Sequence, residues 1–81
     1  MASVADRVKM VVAEQLGADA SKVADDARFV QDLGADSMKS LELIAAFEDE
    51  FDVDIDMDEA GKVQTVGGAV EFFENLLNED N

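Results

Sequence analysis

Apolar residues recur at helical spacing in three stretches of the chain. Val4, Val8, Val11, Val12 and Leu16 share one face of a first helix. Ser3 stands where a cap belongs, Asp6 follows as its capping-box partner, and Gly17 is a natural stop. A second helix is expected from Asp36 or Ser37 to near Asp49 or Phe51, with Leu43, Ile44, Phe47 and Phe51 on its core stripe. A third follows Thr65, which can cap it, and carries Val66, Ala69, Val70, Phe73, Leu76 and Leu77. Gly67 and Gly68 in its first turn cost about 1 kcal/mol each against alanine, so its start is expected to fray.

The stretches between these helices read differently. Over residues 18–35 the periodicity fades into a long connection, with Val23, Phe29, Val30 and Leu33 as its anchors. Connections of that length usually carry function or pack closely. The acidic run "DVDIDMDEAG" is a turn region with a short helix around Asp58 to Lys62. Val53, Ile55 and Met57 alternate as a strand would, but no partner strand exists elsewhere, and a strand is rejected. The pattern thus predicts an all-α fold: a small bundle of three main helices plus a short fourth. A single domain spans residues 1–81, ending in a solvated acidic tail at 78–81.

Composition narrows the function classes. With 81 residues there is no room for separate substrate and catalytic domains. The chain has no cysteine, so it has neither a disulfide staple nor a thiolate metal site. Hydrophobic residues, at 48%, suffice for a modest core. Neither a membrane-spanning run nor a secretion-signal layout is present, which makes a cytoplasmic protein the expectation. The balance of 20 acidic against 6 basic residues, net −14, repels nucleic acid and anionic lipid and favours partners with basic patches.

The second helix carries more apolar surface than one core face needs. Beyond the core stripe, Met38, Leu41 and Ala45 form a second cluster, with Glu42, Glu48 and Asp49 around it. An apolar centre with a charged rim is the layout of a docking surface.

Ser37 lies at the head of this helix. As a structural residue, either it or Asp36 caps the helix, and a serine cap is worth about 1 kcal/mol. As a nucleophile it would need a base, and the chain has no histidine. Nothing marks Lys39 as a buried neutral amine, so no catalytic residue is assigned. A hydroxyl at a helix N-terminus suits a phosphoester, because free N–H groups and the helix dipole favour an anion there.

The stretch "DLGADSMKSLELIAAFEDEFDVDI" resembles the central motif of acyl carrier proteins, an aspartate–serine pair followed by an apolar residue, and the likeness extends over nearly the whole chain. That resemblance implies a carrier, not an enzyme. Ser37 matches the serine that receives 4′-phosphopantetheine from coenzyme A through a phosphopantetheinyl transferase, and Asp36 the aspartate before it. The arm's thiol would hold acyl intermediates as thioesters for enzymes of fatty acid or related acyl biosynthesis. A chain without cysteine needs such a borrowed sulfur. Met38, Leu41 and Ala45 match the family's apolar docking positions, and Glu42, Glu48 and Asp49 its acidic ones. Implied partners are the transferase and the acyl-loading, acyl-transfer or synthase enzymes with basic docking patches; the carrier itself would be a monomer. Phe29, Phe47 and Phe73 could shelter an acyl chain as well as form core.

Some positions depart from the pattern. Lys39 is a cation beside the docking surface, Met38 replaces a more usual leucine, and the "DIDMDEAGK" segment lacks a proline. These leave room for a specialised carrier of a dedicated lipid, polyketide or aminoacyl pathway.

The rival reading from another class is a calcium-binding or acidic interaction module. Asp52, Asp54, Asp56 and Asp58 alternate as calcium-loop ligands do. Counted from Asp52, however, the glycine position holds Met57 and the last ligand position Val63. From Asp54 these become Glu59 and Thr65; from Asp56 the last is Gly67. No register fits, and no metal site is assigned.

Overall fold

The computed structural model describes residues 2–78. It contains α1 (Val4–Leu16), a 3₁₀ turn (Ala20–Lys22), α2 (Ser37–Phe51), α3 (Met57–Ala60) and α4 (Val66–Asn78). Among the described residues no strand forms, and an isolated antiparallel bridge joins Arg28 to Thr65. The all-α prediction holds, with α3 starting one residue earlier than expected, after an Asp56 cap. Residues 79–81 of the expected tail lie outside the described residues, and Asn78 is the last residue of α4.

Local chemistry sets the ends of α1 and α2. At α1 the Ser3 hydroxyl accepts the Asp6 amide at 3.1 Å and the Asp6 carboxylate accepts the Ser3 amide at 3.3 Å, the reciprocal box that the sequence predicts. α2 ends at Asp52, whose backbone is left-handed (φ 54°). There the Glu48 carbonyl accepts both the Asp52 and Val53 amides, and the Glu48 carboxylate accepts the Ile55 amide at 2.9 Å. One residue thus stops the helix and turns the acidic segment back over it.

The core gathers around α1. Val8 and Val12 are fully buried, with Leu43, Phe47 and Phe51 of α2 and Val66, Ala69 and Phe73 of α4 packed with them. α1 approaches both α2 and α4 closely. Between α2 and α4 the rings carry the contact: Phe73 lies 5.0 Å from Phe47 and 4.6 Å from Phe51, centroid to centroid. Arg7 closes the outer side of this stack. Its guanidinium sits 4.4 Å over the Phe51 ring and donates to the Glu50 carboxylate at 2.8 Å and the Glu50 carbonyl at 2.7 Å.

The long connection corrects two expectations. Val23 and Phe29 are buried and Leu33 half-buried, but Val30 is 60% exposed and anchors nothing; Ala27 and Ala35 take the buried places. The start of α4, expected to fray, is instead held by the connection. The Val66 amide donates to the Ala27 carbonyl at 3.0 Å, the Gly67 amide to the Asp25 carbonyl at 2.7 Å, and the Gly68 amide to the Thr65 hydroxyl at 3.0 Å. Glycine is required at 67 because a Cβ there would stand 2.9 Å from the Asp25 carbonyl oxygen.

Candidate functional site

The chain enters the site through Gly34, whose φ of 73° turns the connection so that Ala35 is buried and Asp36 and Ser37 emerge. Asp36 is the cap of α2: its carboxylate accepts the Lys39 amide at 2.8 Å. Between the two capping candidates the structure selects the aspartate. Ser37 is the first residue of the helix, exposed, and among the described residues its hydroxyl has no hydrogen-bond partner. The Ser37 and Met38 amides belong to the first turn, where helix geometry supplies no carbonyl. A free hydroxyl therefore stands beside free N–H donors at the positive end of a helix of 15 residues.

Ser37 also stands at the rim of a cavity of about 610 Å³ between α2, α3, α4 and the long connection. Buried Phe29, Leu43, Phe47 and Phe73 line its depth, and exposed Val30, Leu41 and Met57 its mouth. The cavity lies where α2 and α4 meet through rings, and its lining is mainly apolar.

The predicted docking residues divide by environment. Met38, at 70% exposure, and Leu41, at 55%, stand out in solvent, as the second apolar face requires. Ala45 and Asp49 are exposed further along and face a shallow acidic recess with Glu48, Asp52 and Asp54. Glu48 is half-buried, its carboxylate engaged with the Ile55 amide, so it shapes this surface as much as it charges it. Glu42 is 3.4 Å from the Lys39 ammonium, which also donates to the Gln15 carbonyl at 3.3 Å. Sequence reasoning missed the exposed Val30 and Met57 beside Leu41, because neither lies on a long periodic helix. Among the described residues no three carboxylates converge as metal ligands, and no helix is long and apolar enough to cross a membrane.

The free serine at a helix head, the apolar cavity beside it and the acidic, apolar-centred helix define a carrier of a prosthetic arm. Comparison with known proteins agrees. Residues 6–73 match the family model described as a phosphopantetheine attachment site. The chain is 51% identical over 74 residues to the acyl carrier protein of Sinorhizobium fredii (strain NBRC 101917 / NGR234), covering 91% of this chain and 95% of that one. Identity and coverage are the same with the acyl carrier protein AcpP of Rhizobium meliloti (strain 1021). The chain belongs to the phosphopantetheine-attachment family, as an acyl carrier protein: a carrier that enzymes modify and use, not an enzyme.

The residues present fit the group that this family carries. An exposed hydroxyl can form the phosphoester, the first-turn amides favour its phosphate, and the neighbouring cavity is apolar. The arm supplies the thiol that the chain, without cysteine, lacks.

Proposed function

We propose that Ser37 is the attachment residue and that Asp36 presents it by taking over the cap. In the transfer, the Ser37 oxygen bonds to the β-phosphorus of coenzyme A, its diphosphate bond breaks, the nucleotide bisphosphate leaves and the hydroxyl proton is released. The thiol of the arm then carries acyl groups as thioesters. The single observation that carries this reading is the uncommitted Ser37 hydroxyl at the helix head. Met38, Leu41, Glu42, Ala45, Glu48 and Asp49 form the surface on which the phosphopantetheinyl transferase and the acyl-loading, acyl-transfer or synthase enzymes dock. The chain works as one domain, a cytoplasmic monomer, in fatty acid biosynthesis. Lys39 beside Glu42 favours a second reading, a carrier dedicated to one lipid or polyketide pathway.

The test is the intact mass of the apo protein after incubation with coenzyme A and a broad-specificity phosphopantetheinyl transferase, with Ser37→Ala beside it. One added arm on the parent and none on a folded variant supports the assignment. An arm on both would move the site elsewhere. No arm on either, with the transferase active on a control carrier, would return Ser37 to a structural role.

A further inference from the structure

Lys39 stands where the electrostatics of the fold disfavour a cation. It is the third residue of α2, in the first turn, where the helix dipole favours negative charge and disfavours a lysine. It is also the one cation of the helix: Glu42, Glu48, Asp49 and Glu50 are the other charges there. Its ammonium does not reach back to the Asp36 cap, which takes only its backbone amide. Instead it spans to the Gln15 carbonyl at the end of α1, at 3.3 Å, and to the Glu42 carboxylate, at 3.4 Å. Its side chain is 48% exposed and that of Glu42 47%, so both remain accessible to a partner.

The consequence is a helix with unequal ends. At the head, beside Ser37, the charges of Lys39 and Glu42 offset each other. At the tail Arg7 pairs with Glu50, but Asp49 and Asp52 are exposed and form no salt bridge among the described residues. An enzyme that reacts at Ser37 must bring its surface within reach of Lys39, two residues along. An enzyme that acts at the far end of the arm has no such obligation and can rest on the acidic tail of α2.

We propose that Lys39 is a selectivity residue: it weakens the docking of enzymes whose basic surface covers the first turn of α2, and leaves the acidic tail of α2 as the handle. The enzymes that this carrier suits then place neutral or acidic side chains over Lys39 and basic ones over Asp49 and Asp52. The inference rests on the assignment of Ser37 as the attachment residue.

The test uses the full-length apo protein, coenzyme A and a broad-specificity phosphopantetheinyl transferase that has a basic docking surface. The rates of parent, Lys39→Arg, Lys39→Gln and Lys39→Glu are compared at about 20 mM and about 500 mM salt. At low salt kcat/KM should be unchanged for the arginine variant, about threefold higher for glutamine and about tenfold higher for glutamate. The gain should lie in KM, and the high-salt rates should converge. Loss of the Gln15 link alone would shift melting temperature without a salt-dependent order of rates, so melting curves are recorded in parallel. Equal rates among the four, a gain that persists at high salt, or a slower glutamate variant overturns the inference and leaves the carrier assignment standing. No arm on any of them overturns both.

Discussion

The Asp36 carboxylate holds the Lys39 amide at 2.8 Å, and by doing so it frees the Ser37 hydroxyl between them. Stability and modification should therefore separate at adjacent positions. Asp36→Ala removes the cap and should cost about 1 kcal/mol, a drop in melting temperature of about 4–8 °C for a domain of this size. Ser37→Ala removes an exposed hydroxyl that has no hydrogen-bond partner among the described residues and should stay within about 0.5 kcal/mol of the parent. Thermal melts followed by circular dichroism check both; a large loss in the serine variant would mean that its hydroxyl caps the helix after all.

Two glycines should respond to alanine with opposite signs. At Gly67 a Cβ would meet the Asp25 carbonyl oxygen at 2.9 Å, where the backbone of the connection is tied to α4. Gly67→Ala should destabilise by about 1–3 kcal/mol, although helix propensity alone would favour it. Gly61 has ordinary right-handed backbone (φ −64°), and its nearest Cβ neighbour would be the Met57 carbonyl oxygen at 3.5 Å. Gly61→Ala should stabilise by about 0.4–1 kcal/mol through the unfolded chain. Urea midpoints of the two variants against the parent decide the signs.

These glycines mark the boundary of what the sequence makes legible. Helices are local: the Ser3–Asp6 box, Gly17 and the apolar stripes of α1, α2 and α4 can be read from spacing because their partners lie within one or two turns. The Asp36–Ser37 motif, proposed above as the attachment site, is likewise continuous. What cannot be read is where the aperiodic connection lies in space. Val30 is as apolar as Val23, yet one is exposed and the other buried, and no spacing rule separates them. The same connection supplies the Asp25 and Ala27 carbonyls that hold α4, a contact across some forty residues that hides behind two poor helix formers. Asp36 and Ser37 are both good caps side by side, and no spacing rule selects between them; in the fold it is the Asp36 carboxylate that takes the Lys39 amide. Glu48 looks like a surface charge until the chain reverses and brings the Ile55 amide to it.

The connection should also show acid sensitivity at one pair. Asp32 is held below its ordinary value of 3.8, first by the hydrogen bond from the Arg28 side chain and then by that from the Arg28 amide. A carboxylate whose pKa is lower in the folded than in the unfolded chain stabilises above the unfolded value, and that contribution is lost as pH falls through the folded one. Asp32→Asn, which resembles the protonated acid, should therefore be less stable than the parent near neutral pH. The gap should begin to close as pH falls below about 4 and vanish once Asp32 itself is protonated. Denaturant midpoints of both proteins across this range test the sign; a gap constant with pH would assign the effect to packing.

The end of α2 offers the last test, because strain and charge act there in the same direction. Asp52 is the one non-glycine residue with positive φ among those described, at 54°. It also places a carboxylate at the negative end of the helix dipole, close to Glu48, Asp49 and Asp54. Asp52→Asn keeps a side chain that tolerates the left-handed region and removes the charge, while Asp52→Gly removes the steric cost as well. Both should raise the melting temperature, by about 0.5–1 kcal/mol in free energy, and the asparagine gain should fade in about 500 mM salt because it is electrostatic. The glycine gain should persist in part, since relief of backbone strain is not screened. If both gains vanish together in salt, the left-handed turn at Asp52 carries no measurable strain and repulsion at the acidic tail of α2 is the whole effect.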